Sequence, residues 1–265
     1  MGKEYAGELT LASKGFFYED KFPGGVLHVE PWGTKEERLL ISPNINYSSA
    51  IDRLISRLTD CPIPPGDLLL SDRQHIFFYM RCLSYGGAYS FSYKCSECGE
   101  KVKHDMDLEN DLEVKYADDP ALIKSLGFKD VSEMKEPFIC QLPIQNKALG
   151  WRMLRGRDEA LVRKYSSQMR KKGLTDEDPG YLYRLALRIM EVDCEPMHNI
   201  SDALALVETL KGKDALAIRE AIESVDIGID PELEVVCRNC GYPNDVLMPQ
   251  DKSFFRPGRS ATQSS

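Results

Sequence analysis

The sequence lacks the long apolar run that a membrane span or a secretory signal needs. No stretch of about 18 consecutive apolar residues occurs in the chain. Its first residues, MGKEYAGELTLASKGFF, contain no apolar core of a signal peptide. We therefore expect a protein that is cytosolic when it is made and that has no membrane partner.

The sequence also lacks the short motifs of common catalytic and nucleotide-binding sites. It has no phosphate-binding loop of the GxxxxGKS or GxxxxGKT kind, no GxSxG serine elbow and no HExxH motif. Only four histidines are present, and they are scattered at His28, His75, His104 and His198. We therefore predict that the protein is not an enzyme and that it has no catalytic residue and no bound nucleotide.

Positive charge is in deficit, because 34 Lys and Arg residues stand against 42 Asp and Glu residues, giving a formal net charge of −8. Such a chain repels the phosphates of DNA or RNA unless a local basic patch overrides its mean field. One basic stretch exists, although it also holds Asp158 and Glu159. We interpret it as a solvated helix face, with a nucleic-acid surface as the alternative, and we expect no nucleic-acid partner. Its basic residues are Arg152, Arg155, Arg157, Arg163, Lys164, Arg170, Lys171 and Lys172.

Cysteine is plentiful by contrast, and its distribution is uneven. Eight cysteines in a reducing compartment are not expected to form a disulfide framework. Four stand alone, at Cys61, Cys82, Cys140 and Cys194. The other four form two Cys-x2-Cys pairs, CSECG at Cys95 and Cys98, and CRNCG at Cys237 and Cys240. A glycine follows each pair and can adopt the positive φ of a tight turn.

The two matched pairs predict one structural Zn²⁺ site. Zinc prefers four ligands in a tetrahedron, and a Cys-x2-Cys pair lets two thiolates reach one ion at about 2.3 Å. Four thiolates fill that shell, whereas a catalytic zinc keeps one position open for water. Because 138 residues separate Cys98 from Cys237, such a site joins distant parts of the chain. The alternatives are a redox dithiol, a metal shared between two chains, and packing of the thiols without a metal.

Apolar periodicity predicts helices in both halves of the chain. Ile51, Leu54, Ile55 and Leu58 share one helical face, which predicts a helix over about 48–58. The next helix, starting near residue 71, is apolar on nearly all sides, so we expect it to be central and buried. Strand-like patterns occur at 24–29, 85–93, 102–108 and on both sides of the second cysteine pair. Further helices are predicted at about 157–171, 180–191, 201–211 and 214–225.

These patterns predict an α+β fold. We expect an N-terminal α/β lobe with small antiparallel strands around a zinc-knuckle site of four cysteines. A mainly helical lobe follows, and its C-terminal strand and knuckle return to the first lobe. The predicted divisions are an N-terminal lobe at 1–116, a linker at 117–138 that could equally contain one short helix, a helical lobe at 139–230, the second knuckle at 231–250 and an extended tail at 251–265.

The predicted tail contains two adjacent aromatic residues in a polar setting. Phe254 and Phe255 have few local apolar neighbours in the sequence. Together with Arg256 they are therefore predicted to form a docking peptide for another subunit. The alternative is that the two rings pack back onto the body of the protein.

Several short motifs occur in a characteristic order along the chain. They lie in the stretches LASKGFFYEDK, LHVEPWGTKEERLL, DRQHIFFYMRCLSYGGAYSFSYKCSECG and LPIQNKALGWRMLRGRDEALVRKY. In this order the sequence resembles the baseplate hub assembly protein family of T-even-type contractile-tailed phages. The most specific elements are Ser13, Lys14, Gly15, Phe16 and Tyr18, then Glu36-Glu37, then Arg81 with Ser84-Tyr85-Gly86, then LRGRDE at 154–159.

The resemblance implies a structural or assembly role at the baseplate hub. It implies contacts with other tail and baseplate hub proteins, among which the tape measure protein is a candidate. It also implies a location in the host cytoplasm during assembly and in the virion tail baseplate afterwards. Two alternatives stay open, namely a tail assembly chaperone absent from the mature virion and a zinc-containing nucleic-acid-binding regulator.

Overall fold

The computed structural model describes residues 5–40, 47–173, 178–250 and 252–255. No helix in this part of the chain is both long enough and apolar enough to cross a membrane. The helices are α1 (Thr34–Leu40), α2 (Tyr47–Leu58), α3 (Leu70–Tyr85), α4 (Pro120–Ser125), α5 (Gly156–Lys171), α6 (Pro179–Arg188), α7 (Ile200–Thr209), α8 (Gly212–Ser224) and α9 (Lys252–Phe255). The strands are β1 (Gly7–Thr10), β2 (Val26–Val29), β3 (Ala88–Lys94), β4 (Lys101–Asp107), β5 (Val114–Lys115), β6 (Phe138–Leu142), β7 (Lys147–Trp151), β8 (Ile189–Val192), β9 (Glu195–Pro196), β10 (Gly228–Ile229), β11 (Glu232–Val236) and β12 (Pro243–Leu247).

Helix α3 lies at the centre of the N-terminal half, as its apolar pattern predicts. The side chains of Ile76, Phe77 and Met80 have no exposed surface. Helix α2 packs against α3 and buries Leu54 completely, while the β1–β2 hairpin covers α3 from another side. Each large apolar side chain buried in this way contributes about 1.5–3 kcal/mol. This helix is therefore the element on which the surrounding strands are positioned.

Strands β3 and β4 form an antiparallel hairpin that follows α3 directly. Its last pair before the turn is Lys94 opposite Lys101. Because alternate side chains of a strand point to the same face, Tyr89, Phe91 and Tyr93 all lie on the buried face. The first cysteine pair occupies the turn of this hairpin.

Strands β11 and β12 form a second, smaller hairpin near the end of the described chain. Its last pair before the turn is Val236 opposite Pro243. Val235 is buried, whereas Val236 and Leu247 on the opposite face are 61% and 67% exposed. The second cysteine pair occupies the turn of this hairpin.

The segment 139–230 is mainly helical, as predicted, and it also contains a small sheet that the sequence did not indicate. Strands β6, β7, β8 and β9 form one antiparallel sheet, and α8 packs against β6. These strands are two to five residues long. Such short strands give little two-residue periodicity, and Gly150 interrupts the apolar pattern of β7. The sequence pattern therefore predicted the helices of this region but not its sheet.

The predicted linker at 117–138 has many exposed residues, and a few buried side chains anchor it to the body. Asp119 caps α4 by accepting a hydrogen bond from the backbone N–H of Ala121 at 2.8 Å. Ala117 and Met134 are buried. One cluster of buried apolar side chains includes residues from both halves of the chain. The two halves therefore share a core across the predicted boundary.

The fold class itself is confirmed. The structure mixes helices with small antiparallel sheets, and its N-terminal and C-terminal parts meet where the four paired cysteines cluster. The predicted extended tail requires a correction over its described residues 252–255. They form the single helical turn α9, because the two aromatic side chains there gain more by burial than by exposure.

Candidate metal centre

The two cysteine hairpins make the same turn, bond for bond. In the first, the N–H of Cys95 donates to the carbonyl of Glu100 at 2.9 Å, and the N–H of Gly99 donates to the carbonyl of Cys95 at 3.0 Å. In the second, Cys237 donates to Tyr242 at 2.9 Å, and Gly241 donates to Cys237 at 2.8 Å. The two knuckles are thus local structures fixed by their own sequences.

A glycine permits this turn in each knuckle. Gly99 has a φ of 71° and Gly241 has a φ of 75°. Residues other than glycine rarely adopt this left-handed backbone conformation because their Cβ atom clashes with the backbone. The glycine that ends each Cys-x2-Cys motif is therefore required by the backbone of the knuckle.

The structure brings the four predicted cysteines together. Their Sγ atoms all lie within 4.8 Å of one another. The Sγ atoms of Cys95 and Cys240 are 3.7 Å apart, and those of Cys98 and Cys237 are 3.9 Å apart. A tetrahedron with metal–sulfur bonds of about 2.3 Å has edges of about 3.8 Å between sulfurs. The four thiols therefore have the spacing that a single four-coordinate ion requires.

Backbone N–H groups favour the thiolate form at two of these sulfurs. The N–H of Cys98 is the main cause that lowers the pKa of Cys95 to about 6. The N–H of Glu100 likewise lowers the pKa of Cys98. At Cys240 the N–H of Tyr242 acts in the same sense, but burial and the neighbouring thiols outweigh it and raise the pKa to about 12.

These opposed shifts have a simple electrostatic origin. Four sulfurs this close cannot all carry negative charge unless a cation neutralises them. A bound divalent ion removes that repulsion and keeps all four thiolates deprotonated. The donor set and its spacing therefore fit a metal ion that the chain could hold.

Two asparagines support the cysteines, and sequence reasoning missed both. Asn244 is buried, and its Nδ2 lies 3.7 Å from Sγ of Cys95 while its Oδ1 accepts from the N–H of Ser96 at 2.9 Å. Asn239 is exposed, and its Nδ2 lies 3.6 Å from Sγ of Cys98. Each asparagine belongs to the second hairpin and contacts a cysteine of the first. The only signal in the sequence was their position within and just after the CRNCG motif.

Phe254 and Phe255, which were predicted to contact a partner, are buried in the body of the protein. Phe254 has no exposed surface and Phe255 retains 5%. Phe254 stacks on Phe77 and lies edge-on to Tyr89, with ring centroids 5.8 Å and 5.3 Å apart. The structure thus has the rings packed onto the body, which is the second of the two alternatives. Arg256, the third predicted docking residue, lies outside the described residues.

The basic stretch at 152–172 is partly neutralised from within the protein. Arg152 pairs with Asp158 at 2.7 Å, and Arg155 pairs with Glu136 at 2.6 Å. Arg157 pairs with Asp67 at 2.8 Å. The N-terminal third of the stretch therefore holds segments of the fold together.

Buried polar contacts explain other residues of the characteristic motifs. The hydroxyl of Tyr18 donates to the buried carboxylate of Asp72 at 2.6 Å. Arg81, also buried, donates through Nε to the carbonyl of Phe254 at 2.7 Å and through a terminal nitrogen to the carbonyl of Gly86 at 2.7 Å. These side chains satisfy polar groups in the interior. Their role in this structure is to hold the architecture.

Comparison with known proteins gives one match. A family model described as T4 bacteriophage base plate protein matches residues 16–149, which is half of the chain. No curated protein and no solved structure matches. The matched region includes Cys95 and Cys98 but ends before Cys237 and Cys240.

Proposed function

The chain belongs to the T4 bacteriophage base plate protein family, and from that membership we propose that it serves at the baseplate hub as a structural, non-enzymatic assembly protein. The family supports a structural role in the tail baseplate. The finer assignment to the hub rests on the order of motifs along the sequence. The partners are other tail and hub proteins, and the tape measure protein is one candidate.

The ion in the cysteine site is Zn²⁺, and its role is structural. Four thiolates in a tetrahedron suit zinc, which has no geometric preference of its own and tolerates a closed shell. No ligand position remains for a reacting water, so the site supports a fold and does not support metal catalysis. The single observation that carries this proposal is the approach of four sulfurs from the N-terminal and C-terminal parts of the chain.

Metal analysis tests the zinc assignment. The full chain, purified without added metal and without a histidine tag, should contain one zinc per chain by elemental mass spectrometry. Cys98→Ser should lower that content, and Cys194→Ser, which changes an exposed lone cysteine, should leave it unchanged. Iron in place of zinc, or a zinc content that does not respond to Cys98→Ser, would contradict the assignment.

Assembly analysis tests the role at the hub. A tagged chain expressed during infection should copurify with hub or tape measure proteins, and peptides of the chain should occur in purified virions. Presence in assembly intermediates together with absence from virions would assign the protein as a chaperone instead. Recovery of no tail protein at any stage would remove the proposal.

A further inference from the structure

A cleft of about 630 Å³ lies between helices α5 and α6. The two helices pack against each other and come close at Gly180, where an added Cβ atom would stand only 2.9 Å from Oγ of Ser166. Val162 is the buried apolar member of the lining. Clefts of about 300–1,000 Å³ have the size of typical binding sites. This one therefore has room for a few side chains of another molecule.

The lining of the cleft is basic. One carboxylate, that of Asp178, contributes to it, against four positively charged side chains. The four are Arg163, Arg170, Lys171 and Arg184. The chain as a whole has a formal net charge of −8, so the cleft is a local exception to the mean charge of the protein. Positive charge on the walls of a cleft favours an anionic occupant.

Most of this charge is not neutralised within the described part of the chain. Asp178 accepts a hydrogen bond from the N–H of Gly180 at 2.9 Å and pairs with Arg184 at 3.5 Å. The side chains of Arg163, Arg170 and Lys171 form no ion pair with another described residue. By contrast, each arginine in the N-terminal third of the basic stretch pairs with a carboxylate. The two parts of the stretch therefore differ, and only the second has charge left for an external anion.

The surroundings of the cleft favour a protein segment over a nucleic acid. Tyr181 lies one helical turn before Arg184 on α6 and is 48% exposed, so an apolar ring stands next to the basic side chains. The hydroxyls of Ser166 and Ser167 also line the cleft and can donate to carboxylates. A long nucleic acid would extend beyond the cleft and meet a protein of opposite preference, because the net charge is −8. A short acidic segment avoids that repulsion.

We propose that this cleft receives an acidic segment of a partner tail protein, whose Asp or Glu side chains pair with the arginines. The proposal rests on the assembly role put forward above and names the chemistry of one contact in it. A guanidinium group binds a carboxylate through two parallel N–H donors, which fixes the orientation of the segment as well as its charge.

A peptide titration tests the cleft on the full chain. The probe is a dye-labelled peptide in which Glu alternates with Ser, and the control peptide has Gln in place of each Glu. By fluorescence anisotropy at low salt, we expect the acidic peptide to bind at least about tenfold more tightly. Arg170→Glu should weaken its binding by about fivefold to tenfold, since the change removes an attraction and adds a repulsion.

Lys164→Glu supplies the matched control. It makes the same change of charge on the same helix, at an exposed residue outside the lining of the cleft. Binding of the acidic peptide should weaken by less than about twofold, because solvent and salt screen a charge at that position. Thermal unfolding checks that both variants fold. Equal binding of the two peptides, no binding of either, or equal losses in Arg170→Glu and Lys164→Glu would overturn the proposal.

Two other occupants are outcomes of the same titration. If a dye-labelled oligothymidylate binds more tightly than the acidic peptide and Arg170→Glu abolishes its binding, the cleft is a nucleic-acid site and the proposal fails. Residues 174–177 lie outside the described residues, and their sequence includes Asp176 and Glu177. If the acidic peptide binds only after Asp176→Asn and Glu177→Gln, the chain's own carboxylates are the occupant and the proposal also fails.

Assembly in infected cells separates this proposal from the assembly role itself. Arg170→Glu should reduce copurification with tail proteins by about tenfold, and Lys164→Glu should leave it unchanged. If the wild type and Arg170→Glu enter tail assemblies equally, the cleft is not a docking site although the assembly role stands. If the wild type enters none, the assembly role fails, and with it the partner named here, whereas the peptide titration still decides whether the cleft binds an acidic segment.

Discussion

The two cysteine hairpins share one turn and differ in how they are held to the body. The β3–β4 hairpin continues from α3 and buries three aromatic side chains on its inner face. The β11–β12 hairpin is shorter, and Val236 and Leu247 on its outer face are largely exposed. The first hairpin therefore buries a row of aromatic side chains, whereas the second buries the smaller Val235, so we expect the second to depend more on the cysteine turn for its position.

The C-terminal segment gains a second attachment after the second hairpin. The hydroxyl of Tyr89 donates to the carbonyl of Pro249 at 2.5 Å. Helix α9 then inserts Phe254 between α3 and β3. The second hairpin is thus held at its turn by the cysteines and beyond its last strand by an aromatic contact. We therefore expect the two matched hairpins to depend on a bound metal to different degrees.

Removal of the metal should produce the largest difference in hydrogen-exchange protection between the two hairpins. A structural zinc site contributes on the order of 10 kcal/mol of apparent stability. With a chelator, or in Cys237→Ser, hydrogen exchange should accelerate strongly over residues 232–247 and much less over 88–94. Mass spectrometry of exchanged peptides measures this difference, and Cys194→Ser is the control. Equal loss of protection in both hairpins would contradict the comparison.

Removal of the aromatic attachment should have the next largest effect. Phe254→Ala deletes a fully buried ring that contacts Phe77 and Tyr89, so the free energy of unfolding should fall by about 3–5 kcal/mol. Urea denaturation measures the loss. Phe16→Ala, at a side chain that is 39% exposed, should cost less than about 1 kcal/mol. A small loss in Phe254→Ala would mean that the cysteines hold the C-terminal segment alone.

Acid should lower the free energy of unfolding through protonation of His75, which lies on α3. The pKa of this histidine is about 4 in the folded protein because of burial, against about 6.5 in the unfolded chain. A lowered pKa gives stability that is present above pH 6.5 and is lost as the pH falls towards 4, up to roughly 3 kcal/mol.

The variant His75→Phe isolates this effect from that of the thiolates. The thiolates of the cysteine site also release a bound metal when they are protonated. Acid therefore acts on the cysteine site as well as on His75. In His75→Phe the fall in unfolding free energy between pH 6.5 and pH 4 should be smaller, while zinc release should follow the same pH curve as in the wild type. An unchanged stability curve would show that His75 is not held neutral by burial.

Substitution of the two supporting asparagines should have the smallest effect of these changes. It compares a buried contact to the cysteine site with an exposed one. Asn244→Ala removes a buried contact to Cys95 and should lower zinc affinity by about tenfold to 100-fold. Asn239→Ala removes an exposed contact to Cys98, so its effect should stay below about threefold. Competition with a zinc indicator dye measures both. A larger effect for Asn239 would reverse the assigned importance of the two contacts.

Part of this structure could be predicted because its signals are local. The helix at Tyr47–Leu58 follows from four apolar residues at helical spacing, and the buried helix at Leu70–Tyr85 follows from an apolar pattern on all sides. The sheet β6–β7–β8–β9 could not be predicted in the same way. Its strands are too short for a periodic pattern, and the pairing of β7 with β8 joins residues as far apart in the chain as Leu149 and Val192.

Residues of the candidate site also differ in whether local sequence could predict them. The matched motifs predicted Cys95, Cys98, Cys237 and Cys240 as one set of ligands, and their sulfurs lie close together in the structure. The same motifs carry no sign of Asn244, because the side chain acts on a cysteine 149 residues away. Phe254 was ambiguous for a similar reason, since its burial depends on rings contributed by α3 and β3.

By itself, the sequence determined the two knuckles, the α+β class and the main helices, since neighbouring residues decide capping, periodicity and turn geometry. Tertiary structure decided how closely the sulfurs of the two knuckles approach, that Phe254 and Phe255 pack inward and that His75 is buried. These outcomes depend on contacts between distant segments, which compete for the same buried space. No short window of sequence contains that competition.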